Sequence, residues 1–328
     1  MARDGSALSR FIRMVAVSAP FLSAWSPAGA AETTATAAGV TTGTTVSLAD
    51  PNTTVTKAPS FRRTEDLNYG RKHGMALTMD VFSPTGKANG AGIALLVSSG
   101  WGSSKAGIST RFIEPFTRRG FTVFAVVHSS APRFFIPEII PDIGRALRYL
   151  HANARTHGVD PDRIGTIGAS AGGHLALMLA TDGGAPPAGA ASPDPVDRQT
   201  SAVKGAVAFF PPTDFNNYVG PAVNALDESA LKNYRKSIGP VPDDQEAANA
   251  LGRSISPIYG VTSGTAPVLI FHGEKDYHVL PHQSKSFVEK ARKAGVDATV
   301  VMKPGAPHAY KGMLDDLETA ADWFEKHL

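Results

Sequence analysis

The 328-residue sequence predicts an α/β fold: a mainly parallel central sheet, helices on both of its faces, and a small cap insertion. Three observations carry that expectation. Short continuous apolar runs recur along the chain, as strands covered on both faces require. Stretches with a 3.6-residue apolar period separate them. One long stretch, residues 214–266, interrupts the alternation without offering a strand.

The amino terminus stands apart from this pattern. Arg10 and Arg13 precede an apolar stretch, Met14 to Trp25, and Ala28-Gly29-Ala30 forms a small-x-small cleavage site. The stretch is broken by Pro20 and too short to span a bilayer. Residues 1–30 therefore read as a secretory signal cleaved after Ala30, and the chain as exported, periplasmic or secreted. No stable membrane insertion is expected after cleavage. Residues 31–57 are Thr, Ala and Gly with almost no large apolar side chain, the composition of a disordered linker. A single domain is expected over 58–328.

Within that domain, Leu77–Phe82 alternates and predicts an early edge strand. Ile93–Val97 and Phe121–Val127 are continuous apolar runs, the second following a helix that ends at Gly120. Ile139, Ile143, Ala146, Leu147 and Leu150 share one helical face. Arg163–Ile167 predicts a strand, and Leu175, Met178 and Leu179 mark the helix after it. Val203–Phe210, Pro267–Phe271 and Thr299–Met302 predict further strands. His282–Ala294 predicts a helix stopped by Gly295, and Met313, Leu317, Ala320 and Phe324 mark the closing one. In residues 214–266, Tyr218, Leu226, Leu231, Tyr234 and Ile238 are scattered among polar residues, which predicts a small helical cap over the strand ends.

The formal charge is +3, of which Arg3, Arg10 and Arg13 against Asp4 contribute two charges, leaving +1 from residue 31 onward. Nothing in this balance suggests nucleic acid or an anionic membrane as partner. Cysteine is absent, which excludes disulfides, a cysteine nucleophile and a lipid-anchoring cysteine. No group of residues has metal-ligand spacing, so neither a metal nor another cofactor is expected. Oligomeric state is not legible.

The chemistry centres on Gly168-Ala169-Ser170-Ala171-Gly172. A β run precedes it and a helical run follows, so Ser170 falls on a tight strand-to-helix turn that lifts its hydroxyl above the sheet. A serine hydroxyl needs a base to remove its proton. Of the ten histidines, His308 in Pro304-Gly305-Ala306-Pro307-His308 follows the last strand and is the predicted base. His272 reads as a packing residue beneath its loop. His174, one helical turn past Ser170, reads as a supporting residue, and His128 as a pocket-lining one. His73, His151, His157 and His327 fall in segments expected to be exposed, and His278 and His282 are expected to be solvated. A carboxylate should orient the base. Asp276 in His272-Gly273-Glu274-Lys275-Asp276 is the candidate, with Glu274 the alternative. For an oxyanion, donors are expected from the Ala171 backbone N–H and from Ser99 and Gly100, with Trp101 next. Trp101 reads equally as an acyl-pocket wall or a buried aromatic.

Residues 62–328 resemble the esterase/lipase branch of the α/β-hydrolases, on Gly-Ala-Ser-Ala-Gly-Gly-His at 168–174, Pro-Arg-Phe-Phe-Ile-Pro-Glu at 132–138, His-Gly-Glu-Lys-Asp at 272–276 and Pro-Gly-Ala-Pro-His at 304–308. The chain is most similar to secreted bacterial feruloyl and acetylxylan esterase types, and to dienelactone-hydrolase-like and prolyl-oligopeptidase domains. The resemblance implies the α/β-hydrolase fold and the chain order Ser170, Asp276, His308 for a catalytic triad. It implies a serine-dependent ester hydrolase acting on a small-molecule or polymeric ester. Where that family often carries His-Gly-Gly-Gly-Trp, this chain has Val97-Ser98-Ser99-Gly100-Trp101. A peptidase or amidase on the same triad, and a catalytically silent binding protein, are the competing readings.

Overall fold

The computed structural model describes residues 60–184, 192–218 and 234–328, so the predicted signal and linker lie outside the described residues. The described residues build one eight-stranded sheet, in the order β1-β2-β4-β3-β5-β6-β7-β8. Strands β1 (Phe61–Lys72) and β2 (Met75–Pro84) form an antiparallel pair, and β2 runs antiparallel to β4 (Thr122–Val127). From β4 onward the sheet is parallel: β3 (Gly92–Val97), β5 (Ile164–Ala169), β6 (Ala206–Phe209), β7 (Val268–Gly273) and β8 (Ala298–Lys303).

The α/β expectation therefore holds, with one displacement at the edge. The predicted edge strand Leu77–Phe82 lies inside β2, the second strand, and β1 is the edge. Strand β1 shows little apolar alternation because most of its side chains face solvent. Its pairing with β2, its buried Tyr69 and an ion pair from Arg63 to the buried Asp80 carboxylate hold it in place. Strand β6 is shorter than its apolar run, because only Ala206–Phe209 finds partners on both sides.

Helices cover both faces. On one lie α2 (Ile136–Asn153) and α3 (Ala171–Thr181), whose Ile139, Ile143, Ala146, Leu147, Leu150 and Leu175 are fully buried with the even-numbered side chains of β3. On the other lie α1 (Glu114–Thr117) and α8 (Met313–His327), with Phe116, Leu317, Ala320 and Phe324 packed on Ile93, Leu95, Phe209 and Phe271. Helix α7 (His282–Lys293) buries Phe287, Val288 and Ala291 on the α2 side.

The strandless stretch holds, in its described residues, α4 (Arg235–Ile238), α5 (Gln245–Ser254) and α6 (Pro257–Gly260). Its Phe215, Ile238, Ile255 and Ile258 join the principal core, so this part is anchored in the domain. Leu226 and Leu231 fall outside the described residues.

Strand β3 sits between β4 and β5, so the chain leaves it toward one sheet edge and later strands build toward the other. The carboxyl ends of β3 and β5 thus flank the point where winding reverses, the place where open α/β sheets form a crevice. Both the Ser170 turn and the Ser99–Gly102 loop rise from that point.

The α8 side depends on a close fit: a Cβ at Gly165 would stand 2.6 Å from the Phe324 ring. Replacing Phe324 by Ala is expected to remove about 3–5 kcal/mol of stability, read as a lower urea midpoint at unchanged slope. A Gly165→Ala variant should also be destabilised, since the ring has to move.

Candidate active site

Ser170 is the single residue between the end of β5 and the start of α3, with φ 53° and ψ −117°, a conformation sparsely populated by L-residues. The turn closes because its neighbours lack side chains. A Cβ on Gly168 would stand 2.3 Å from the Gly172 carbonyl, and one on Gly172 would stand 2.4 Å from the Leu96 carbonyl oxygen. Ser170 donates its N–H to the Phe209 carbonyl (2.8 Å), and its own carbonyl accepts the first helical bond, from the His174 N–H (2.9 Å). The Ala171 N–H, at the first position of α3, has no acceptor among the described residues.

The structure brings the three predicted side chains together. Ser170 Oγ lies 3.1 Å from His308 Nε2, and His308 Nδ1 lies 2.7 Å from Asp276 Oδ2. A carboxylate only accepts, so Nδ1 carries the proton and Nε2 is left to accept from the serine. Asp276 is buried, and its Oδ1 accepts the N–H groups of His278 (2.9 Å) and Val279 (3.0 Å). Burial would raise the Asp276 carboxyl, but hydrogen bonds from His272 and His308 outweigh it and hold the group well below the usual carboxylate range. Glu274 is exposed and makes no contact with His308 among the described residues.

Gly273 explains why the two loops meet: a Cβ there would stand 2.3 Å from the Ala306 carbonyl oxygen and 2.6 Å from that of Pro307. The Lys275 N–H then bonds the Ala306 carbonyl (2.9 Å). His272 is buried beneath the loop as predicted, with Nδ1 accepting from Ser284 Oγ (2.6 Å) and Nε2–H facing Val279 O (2.8 Å) and Asp276 Oδ2 (3.3 Å). Phe210, at φ 39°, lays its ring 4.2 Å from that of His308, centroid to centroid.

The loop after β3 departs from the sequence reading. Ser99 and Gly102 exchange both backbone hydrogen bonds, each 2.9 Å, around Gly100 (φ 54°) and Trp101 (φ 60°). That is the φ pattern of a type I′ turn. The Ser99 N–H, an expected donor, is thereby engaged by Gly102. Gly100 and Trp101 keep N–H groups without an acceptor among the described residues. Trp101 is buried, with its Nε1–H donating to His174 Nδ1 (3.1 Å). His174 Nε2–H in turn donates to the Ile255 carbonyl (2.7 Å).

His128 was expected to line a pocket, but it is buried, with Nδ1–H bonded to the Ser129 carbonyl at 2.5 Å. His73 and His278 are exposed as expected, whereas His151, His157, His282 and His327 are half-buried. Sequence reasoning missed Phe210 and Ser237. Ser237 donates its hydroxyl to the Gly100 carbonyl (3.0 Å) from a segment with no local signal of contact there.

The sequence model of the BD-FAE family matches residues 79–291. An esterase named LipQ from Mycobacterium tuberculosis is 31% identical over 193 residues, covering 58% of this chain and 43% of that protein. An ethyl acetate hydrolase from Pseudomonas putida is 28% identical over 208 residues, 61% of this chain and 59% of its own. The chain thus spans about half the length of the curated relatives it matches. Among solved structures, a truncated carbohydrate esterase from gut microbiota superposes with a TM-score of 0.69 at 25% identity, over 83% of this chain and 99% of that one.

Burial lowers both His128 and His174 to about 4, against about 6.5 in an unfolded chain. Between these values the unfolded chain binds more protons, so stability is full above about 6.5 and is lost as pH falls toward about 4. Each histidine adds a slope of up to about 1.4 kcal/mol per pH unit within that window. Urea unfolding across pH 7 to 4 should show the decline, and His128→Gln should show a shallower one.

Proposed function

The chain belongs to the BD-FAE family, and from that membership we propose that it is a serine-dependent carboxylic ester hydrolase working through an acyl-enzyme. The observation that carries the reading is the continuous hydrogen-bonded path from Ser170 Oγ through His308 to the buried Asp276. The names of its relatives, esterase and ethyl acetate hydrolase, point to the same bond class.

In this reading Ser170 Oγ attacks the ester carbonyl carbon while His308 Nε2 takes the hydroxyl proton. Asp276, its carboxyl held well below the usual range by hydrogen bonds from His272 and His308, keeps the Nδ1–H tautomer in place and stabilises the imidazolium that forms. The carbonyl oxygen becomes an oxyanion that accepts from the N–H groups of Ala171, Gly100 and Trp101. Collapse of the tetrahedral species breaks the bond to the alkoxy oxygen, which leaves as the alcohol with the proton from His308. Water then attacks the acyl-serine carbonyl, His308 accepting its proton, and the second collapse returns that proton to Ser170 as the acid departs. The substrate is a small-molecule or polymeric ester, and likeness to a carbohydrate esterase favours a carbohydrate ester.

We further propose that the chain is exported, on the strength of Arg10, Arg13, the Met14–Trp25 apolar stretch and Ala28-Gly29-Ala30. Expression in a Gram-negative host should yield a periplasmic or extracellular form whose first residue is Ala31. A form retaining Met1 in the cytoplasm would overturn this.

With p-nitrophenyl acetate or butyrate, Ser170→Ala should lower kcat by about 10⁶-fold. Asp276→Asn, which leaves the geometry and loses the tautomer control, should lower it by about 10⁴-fold. Equal turnover by wild type and Ser170→Ala refutes the assignment.

A further inference from the structure

The four residues Ser99 to Gly102 have an unusual hydrogen-bond balance. All four carbonyls accept: Ser99 from Gly102, Gly102 from Ser99, Trp101 from the Ala131 N–H (3.1 Å), and Gly100 from the Ser237 hydroxyl. The two outer N–H groups donate to each other's carbonyls. Only the two central N–H groups, of Gly100 and Trp101, stay unpaired among the described residues. A turn built this way presents two donors and no free acceptor, which suits an anion.

The two backbone hydrogen bonds between Ser99 and Gly102 close the turn against a conformational cost. Trp101 sits at φ 60°, a left-handed conformation that costs a non-glycine residue roughly 1–2 kcal/mol. Besides the Ala131 N–H on the Trp101 carbonyl, two side chains outside the turn help to fix it. From the helix that Ser170 starts, His174 accepts the Trp101 indole N–H, with its own ring fixed by the Ile255 carbonyl. Tryptophan can only donate, so His174 Nδ1 is unprotonated and Nε2 carries the hydrogen. From the 214–266 insertion, the buried Ser237 binds the Gly100 carbonyl, and Tyr234 meets the Trp101 ring at 6.1 Å.

We propose that His174 and Ser237 are positioning residues for the oxyanion: His174 registers the Gly100–Trp101 turn against the nucleophile's helix, and Ser237 registers it against the insertion. The insertion then sets turnover through that contact. A hole whose three donors come from two separate loops works only when those loops keep a fixed separation, and displacement by about 1 Å can cost 10²-fold in rate. His174 spans that separation, since it lies on α3 together with Ala171 and bonds the residue that carries a donor on the other loop. This inference rests on the ester-hydrolase reading.

The test is steady-state kinetics with p-nitrophenyl butyrate on wild type, Ser237→Ala, Ser237→Thr and Trp101→Phe, each normalised to sites titrated by a fluorophosphonate at long incubation. For Ser237→Ala and Trp101→Phe, kcat per titrated site should fall about 10- to 100-fold with KM within about twofold. Affinity for a trifluoromethyl ketone, whose serine adduct carries the oxyanion, should fall by the same factor as kcat/KM. Ser237→Thr, which keeps the hydroxyl, should recover most of the rate. Unchanged kcat per titrated site overturns the proposal, whether the number of titrated sites is normal or reduced. A rise in KM alone also overturns it, by making these residues substrate contacts. Wild type without Ser170-dependent ester turnover would instead remove the underlying reading.

Discussion

The contact on which the site is built is the approach of residue 172 to residue 168. Gly168 and Gly172 meet at a distance where a single methyl group would overlap a carbonyl, and Gly172 lies equally close to the end of β3. That approach lets the chain pass from β5 into α3 through Ser170 alone. Backbone strain of the kind Ser170 carries is of order 1–3 kcal/mol. It persists because both of its peptide groups are bonded, one to β6 and one inside α3, and because Leu175 and Leu179 bury the helix against the sheet. Local strain is thus set by packing over the whole face.

From that fixed point the remaining groups follow by sheet topology. The parallel register of β3, β5, β6, β7 and β8 brings five loops to one end of the sheet. The loop after β7 carries Asp276 and the one after β8 carries His308, and Gly273 lets the second lie directly on the first. A residue with a side chain at 273 would separate Asp276 from His308 as surely as a residue with one at 172 would displace Ser170. The approach of Ser170, His308 and Asp276 thus depends on three glycines: Gly168 in β5, Gly172 in α3 and Gly273 at the end of β7.

This explains what the sequence made legible. Glycines at such contacts, apolar runs and helical periods are local features, so the sheet, its two helical layers and the residues Ser170, Asp276 and His308 could be read before any coordinates. Strand β1 escaped because an edge strand most of whose side chains face water needs little apolar alternation. The Ser99 N–H was misassigned because hydrogen bonding within a two-residue turn depends on φ, and nothing marks Trp101 as left-handed. Ser237 escaped for a different reason: its contact with Gly100 joins positions 137 residues apart within a segment of weak periodicity.

The histidines show how environment sorts one residue type into different tasks. His128, His174 and His272 all lie near the carboxyl ends of the parallel strands, and all are buried. For the first two, burial disfavours the charged ring strongly enough to keep it neutral near pH 7. Each has a ring nitrogen committed to a backbone carbonyl, which suits it to holding a loop. His308 differs on both counts. Its side chain keeps 19% of its exposure, its Nδ1 faces a carboxylate instead of a carbonyl, and its Nε2 is left to the serine. In the proposed reaction the base gains and releases a proton in each turnover, which calls for a counter-charge and a route to solvent. Among these four, the structure gives both to His308.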